Sequence, residues 1–167
     1  MPDIRSISSE HLVLRVFWMA LAALLLTSVH HAYGAYIYDT PWRLHVVLVS
    51  GLAAAALIGS LRVLRRRSTD VAGEMAFWVF AVIVFVIPVA GIGVFEGGYN
   101  HAVKDALYFS GASLRVMYRL FPPPAYELPN DAFFEITGVQ QLAVAVVTAT
   151  TCTFLSGTGG ASAEPFR

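Results

Sequence analysis

The 167-residue chain has 57% hydrophobic and only 13% charged residues, with a positive mean hydropathy, a balance outside that of soluble domains. Its 11 basic and 11 acidic residues cancel, so nothing in its charge favours nucleic acid. A single cysteine, Cys152, excludes an internal disulfide and any CxxC site.

Four apolar stretches are each close to the ~20 residues that cross ~30 Å of hydrocarbon as a helix. They run from about Leu12 to Tyr33, Arg43 to Leu64, Met75 to Phe95 and Ala132 to Leu155. The runs are continuous rather than alternating, so helices and not barrel strands are expected to satisfy the backbone. The expected fold is an all-α integral membrane protein, with residues 1–155 forming a single four-transmembrane-helix bundle. An amphipathic interfacial helix is expected between spans 3 and 4.

The first stretch follows a short polar lead with Arg5, Glu10 and Arg15. Ala32-Tyr33-Gly34 could pass for a signal-peptidase site, but the apolar run exceeds the ~7 to 15 residues usual for a signal segment, so a retained first helix is expected. Pro41 then starts the second helix, with Trp42 as an interfacial anchor, and Arg62, Arg65, Arg66 and Arg67 close it. Those arginines, with Arg5 and Arg15, place that end in the cytoplasm and both termini inside, in a bacterial inner membrane. Arg43, Lys104, Arg115 and Arg119 on the other side weaken the bias.

Ser68-Thr69-Asp70 offers an N-cap to the third helix, with Glu74 in its first turn. Pro88, Gly91 and Gly93 predict a kink, and Glu96-Gly97-Gly98 an end. From about Asn100 to Phe121 a stripe of Val103, Leu107, Leu114, Met117 or Tyr118, and Phe121 lies opposite Lys104, Asp105, Arg115 and Arg119, as on a helix in the membrane interface. Pro122-Pro123-Pro124 stops it, Asn130-Asp131 caps the fourth span, and 156–167 reads as a flexible tail.

The stretch Val29–His45 packs three of the five histidines, three tyrosines and a tryptophan between two apolar runs. Helical spacing puts Ala20, Ala23, Thr27 and His30 or His31 on one face of the first span. It does the same for His45, Val49, Ala53, Ala56 and Ser60 on the second, and for Thr137, Gln141, Ala145, Thr148 and Cys152 on the fourth. Glu135 falls off the last stripe, although it shares a face with Asp131. Gln141 is deep enough to need an interhelical partner, and Cys152 reads as a packing residue.

Topology brings His30, His31, His45, Glu96, His101, Asp131 and Glu135 to the same, outer end of the bundle, leaving His11 at the other. Imidazole with carboxylate suits iron, zinc, manganese or copper(II), and bundle interiors hold such ions. The sharpest reading is a transition-metal site formed by His30 or His31, His45, Glu96 and His101, with Tyr33, Tyr36, Tyr38 and Tyr99 orienting the imidazoles. That makes the chain a small membrane metalloprotein, either a redox enzyme or a redox-complex subunit. An enzyme would run oxygen-dependent or hydrolytic chemistry on an apolar or headgroup-like substrate from the membrane, with the 100–121 helix as a lid.

Other readings use the same residues. Histidine, tyrosine and tryptophan all favour the interface, so simple anchoring, with Glu96 paired to Arg43 or His101, suits a cofactor-free accessory subunit of a larger membrane complex. Haem b held by His31 and His45, or a quinone or pigment site, is a further alternative. Expected partners are the lipid bilayer and other membrane subunits or a second copy. Transport is disfavoured, because below the outer leaflet only Thr27, Gln140, Gln141 and Thr148 are polar.

Overall fold

The computed structural model describes the backbone of residues 4–67 and 70–159, and side chains within 10–67 and 70–153. Ser68, Thr69 and most of the expected C-terminal tail lie outside the described residues.

Six α-helices follow one another, with no strand among the described residues: α1 (Ile4–Ile37), α2 (Leu44–Arg66), α3 (Val71–Val84), α4 (Lys104–Phe109), α5 (Leu114–Leu120) and α6 (Ala132–Gly159). Four helical stretches are long and apolar enough to cross a membrane: Glu10–Ile37, Pro41–Arg66, Val71–Phe109 and Ala132–Thr153. The all-α membrane bundle read from hydropathy is therefore what the chain forms. Trp18, Leu25, Leu48, Leu52, Met75, Trp78, Val82, Val86 and Ile136 point outward. An apolar surface of this extent suits a lipid surrounding.

Local chemistry sets the joints. Asp39 takes a positive φ of 50° as α1 ends. A single 3₁₀ turn, Pro41–Arg43, then leads into α2, with proline where an orphan N–H would otherwise sit. Asp70 caps α3 by accepting the Gly73 N–H at 3.0 Å. Asp131 caps α6 by accepting the Phe134 N–H at 2.8 Å.

The third span departs from expectation. It does not end at Glu96-Gly97-Gly98 but continues from α3 as a π-helical segment, Phe85–Val103, and then as α4. Pro88 has no N–H, so the i→i+4 ladder cannot pass it unbroken, and i→i+5 bonding takes over. The single interfacial helix expected over 100–121 is accordingly divided: its first part completes span 3, and only α5 stands apart. The physical reason is burial, since His101 and Lys104, 1% and 2% exposed, turn inward rather than to solvent.

The core of Val16, Phe17, Ala20, Leu24, Ala53, Leu57, Leu61, Phe80, Val84 and Ile92 joins α1, α2, α3 and the π segment. α6 packs against both α1 and the π segment, so it is covered on two sides. Glycine permits this closeness: a Cβ at Gly93 would strike Ala145, and one at Gly97 the backbone of Leu142 and Gly138. The expected inward faces of α1 and α6 are both observed, with Ala20, Ala23, Thr27 and His30 buried on one and Thr137, Gln141, Ala145 and Thr148 on the other. On α2 the face is rotated. Ser50, Ala53, Leu57, Ser60 and Leu61 turn inward, while His45 and Val49 are exposed.

Candidate metal centre

At the end of the bundle away from the arginine run, α1 delivers His30 and His31, the π segment Glu96 and His101, and α6 Glu135 and Thr137. His101 is five positions after Glu96, which on an α-helix at ~100° per residue would leave them ~140° apart. The wider i→i+5 turn brings residues at that separation towards one face. His101 can lie flat on α6 because Gly138 has no side chain there to meet its ring.

The donors converge on one carboxylate oxygen. Glu96 Oε1 is 3.6 Å from Nε2 of His30, of His31 and of His101. The His30 and His101 Nε2 atoms are 3.1 Å apart. His30, Glu96 and His101 each present a ligand atom within 4.8 Å of the others, and His31 touches Glu96 beside them. For bonds of ~2.1 Å in a tetrahedral site, neighbouring ligand atoms would be about 3.4 Å apart. The observed 3.1 and 3.6 Å straddle that value.

Outer hydrogen bonds assign which ring nitrogen carries the proton. His101 Nδ1 lies 2.6 Å from Glu135 Oε2, a carboxylate that can only accept, so Nδ1–H donates to it, and in the neutral ring Nε2 carries the lone pair. His30 Nδ1 lies 3.0 Å from Thr137 Oγ1. The Thr137 hydroxyl spends its hydrogen on the backbone carbonyl of Phe133, at 2.8 Å, or Phe134, at 3.1 Å, so it accepts from His30. With both rings neutral, the inward nitrogens would face each other as acceptors beside a carboxylate, an arrangement that a cation between them, a metal ion or a shared proton, would relieve. Asn100 Nδ2 donates to Glu96 Oε2 at 2.7 Å, leaving Oε1 directed at the imidazoles. Phe134 stacks on His30, with centroids 4.1 Å apart, and closes the apolar side.

A second grouping, His101 with Asp105 and Glu135, also has ligand spacing. Lys104 already sits in it, its Nζ 3.0 Å from Glu135 Oε1 and 3.9 Å from Asp105 Oδ1. An ammonium there supplies the positive charge that a metal would bring.

Not every expected ligand reaches the cluster. His45 is exposed in the first turn of α2, and its Nδ1 donates to the Trp42 carbonyl at 2.5 Å. Asp131 is occupied as the α6 cap and by the Tyr33 hydroxyl, which donates to it at 3.1 Å. Glu135 orients His101 instead of facing the other donors. Tyr38 donates to Asn130 at 2.6 Å, Tyr99 to the Leu120 carbonyl at 3.0 Å, and Tyr36 is exposed. The orienting role expected of the tyrosines falls to Glu135, Thr137 and Asn100. Gln141 is fully buried, yet neither amide atom meets a hydrogen-bond partner among the described residues, contrary to the expected interhelical pairing.

Sequence reasoning put Lys104 on the polar face of an interfacial helix and offered Arg43 to Glu96, whereas the structure buries Lys104 against Glu135 and gives Arg43 other partners. Arg43 is 4% exposed, donates from Nε to Thr40 Oγ1 at 2.8 Å, and reaches Glu127 at 3.9 Å rather than Glu96. Its guanidinium lies 5.1 Å from the Trp42 ring centre and 5.4 Å from that of Phe134. Beside it, burial raises the Tyr38 phenol above its ordinary range, with help from the negative charges of Glu135, Asp131 and Glu127. Burial, and then Glu96, raise that of Tyr126.

A cavity of about 360 Å³ adjoins the cluster, with His31, Glu96, Asn100 and His101 in its wall and Trp42, His45 and Phe95 toward the outside. Family models, curated proteins and solved structures offer no match to this chain, so its chemistry has to be read from its own side chains.

Proposed function

We propose that the chain is a small integral membrane metalloprotein in which His30, Glu96 and His101, with His31 as a fourth donor, hold one transition-metal ion at the outer end of the bundle. The observation that carries this reading is the pair of imidazole Nε2 atoms 3.1 Å apart, each 3.6 Å from the same carboxylate oxygen. Nitrogen and oxygen donors suit iron, zinc, manganese or copper(II). The Glu135–His101 bond is the kind of outer contact that fixes the tautomer of a metal-bound histidine and strengthens it as a ligand. A cavity against the donors leaves access for an exogenous ligand, which suits a redox enzyme or a redox-complex subunit more than a closed structural site.

The arginines at positions 62 and 65–67 support an orientation with that end cytoplasmic and the metal end periplasmic, as in a bacterial inner membrane. The rival reading is a cofactor-free accessory subunit in which one shared proton bridges His30 and His101.

Elemental analysis and an optical spectrum of the purified protein separate the two. About one metal per chain is expected, lost in His30→Ala and His101→Ala while the proteins stay helical. Full-length, folded protein that takes up no iron, zinc, manganese or copper overturns the proposal. A Soret band would instead favour haem between His31 and His45.

A further inference from the structure

The cavity beside the cluster is lined by residues of α1, α2, the π segment and the loop before α6. α2 packs on α1 and α3 but hardly touches the π segment. The gap left between them is bordered by Val46 on one side and by Gly91 and Phe95 on the other. These residues lie within the membrane-spanning stretches, and Gly91 and Phe95 are exposed on the outside of the bundle. This gap is where a molecule moving in the bilayer would enter the cavity.

The inner wall asks for a particular head. Thr27, His31 and Asn100 line the cavity, and their Oγ1, Nδ1 and Oδ1 atoms are buried without a hydrogen-bond partner, the residues being 1%, 8% and 7% exposed, so that a head group meets these atoms once the side chains turn toward it. They comprise a hydroxyl, an imidazole nitrogen and an amide carbonyl, so the set needs a partner that both donates and accepts. Charge does not recommend an anion. Arg43 is held by Thr40 and Glu127, Lys104 is held by Glu135, and Glu96 Oε1 would repel a carboxylate. A cationic head would have to lie beside Arg43. The volume, about 360 Å³, is that of a site for a small head rather than a whole lipid.

We infer that the cavity receives a neutral, hydroxyl-bearing amphiphile from the bilayer, its hydroxyl against Asn100, Thr27 and His31 and its chain leaving between Val46 and Phe95. This rests on reading the histidine–carboxylate cluster as the working site, and it names the class of molecule brought to it.

The full chain in phosphatidylcholine vesicles is labelled by light with hexadecanol carrying a diazirine near its head, and in parallel with the matching alkane and the matching fatty acid. The alcohol is expected to mark peptides containing Val46, Phe95 and Tyr126, and the alkane only outward positions such as Val86 and Val94. Thr27→Val should reduce alcohol labelling of the cavity roughly fivefold, the loss of one ordinary hydrogen bond. Val46→Trp, at the mouth, should abolish it. Both variants should keep the wild-type metal content.

Equal labelling by all three probes, preference for the fatty acid, or labelling confined to the outward positions overturns the inference. Metal bound without cavity labelling sinks the inference and leaves the metal reading standing. Cavity labelling without metal does the reverse.

Discussion

Glu135 Oε2 lies 2.6 Å from His101 Nδ1, while the other oxygen of the same carboxylate lies 3.0 Å from Lys104 Nζ. One buried acid thus orients an imidazole and balances an ammonium that is 2% exposed. Breaking such a pair from one side leaves a charge without compensation, which costs on the order of 3 to 5 kcal/mol.

Glu135→Gln should therefore lower thermal stability strongly, and Lys104→Met should restore part of it in the double variant. The check is a double-mutant cycle by thermal unfolding in detergent. Additive losses would show that the two groups do not depend on each other. The same Glu135→Gln change, in protein kept cold enough to stay folded, should weaken metal binding by roughly 10- to 100-fold, since the amide no longer polarises His101.

Thr137 offers a gentler test of the assigned tautomers. Thr137→Val keeps the volume and removes the acceptor of the His30 Nδ1–H bond. A buried N–H without a partner costs about 1 to 3 kcal/mol, and His30 should become a poorer ligand. Metal affinity measured by competition with a chelator is expected to fall about tenfold with the metal stoichiometry unchanged. Unaltered affinity would mean that His30 does not donate to Thr137.

Two glycines should respond in opposite ways to alanine. At Gly97 a methyl group would collide with the α6 backbone at Leu142 and Gly138. Gly97→Ala should push the π segment off α6, lower the melting temperature by the equivalent of about 1 to 3 kcal/mol, and disturb the cluster. At Gly51, on α2, nothing lies within 4 Å of the added methyl. Gly51→Ala should leave metal content untouched and stability equal or up to ~1 kcal/mol higher. Thermal melts with metal analysis on both variants check the contrast.

Alkaline pH should weaken the loops that hold Tyr38 and Tyr126. Tyr38 and Tyr126 have phenols raised above their ordinary range, so their contribution to stability is complete below the unfolded value of ~10 and is lost as pH rises beyond it. Tyr38→Phe/Tyr126→Phe should flatten the fall in melting temperature above pH ~10 relative to wild type. An identical alkaline profile would show that these phenols are indifferent to folding.

Four spans, their limits to within a few residues except in the third, and the gathering of imidazoles and carboxylates at one end were legible in the order of residues. A bilayer forces the backbone to satisfy itself along each helix, so hydropathy and length leave little choice. The inward stripes of α1 and α6 were legible for the same reason, because small and polar residues avoid lipid and recur at helical spacing. Which of the seven ionisable groups would meet was decided only by tertiary structure. The i→i+5 segment carried Glu96 and His101 to one face, although α-helical spacing would have parted them. Two helices closing on α6 buried Glu135, which its own stripe had excluded, and drew in Lys104. α2 turned His45 outward, to the Trp42 carbonyl. Facing groups are chosen by rotation and approach between helices, and that information lies in contacts between distant residues rather than in the periodicity of any one span.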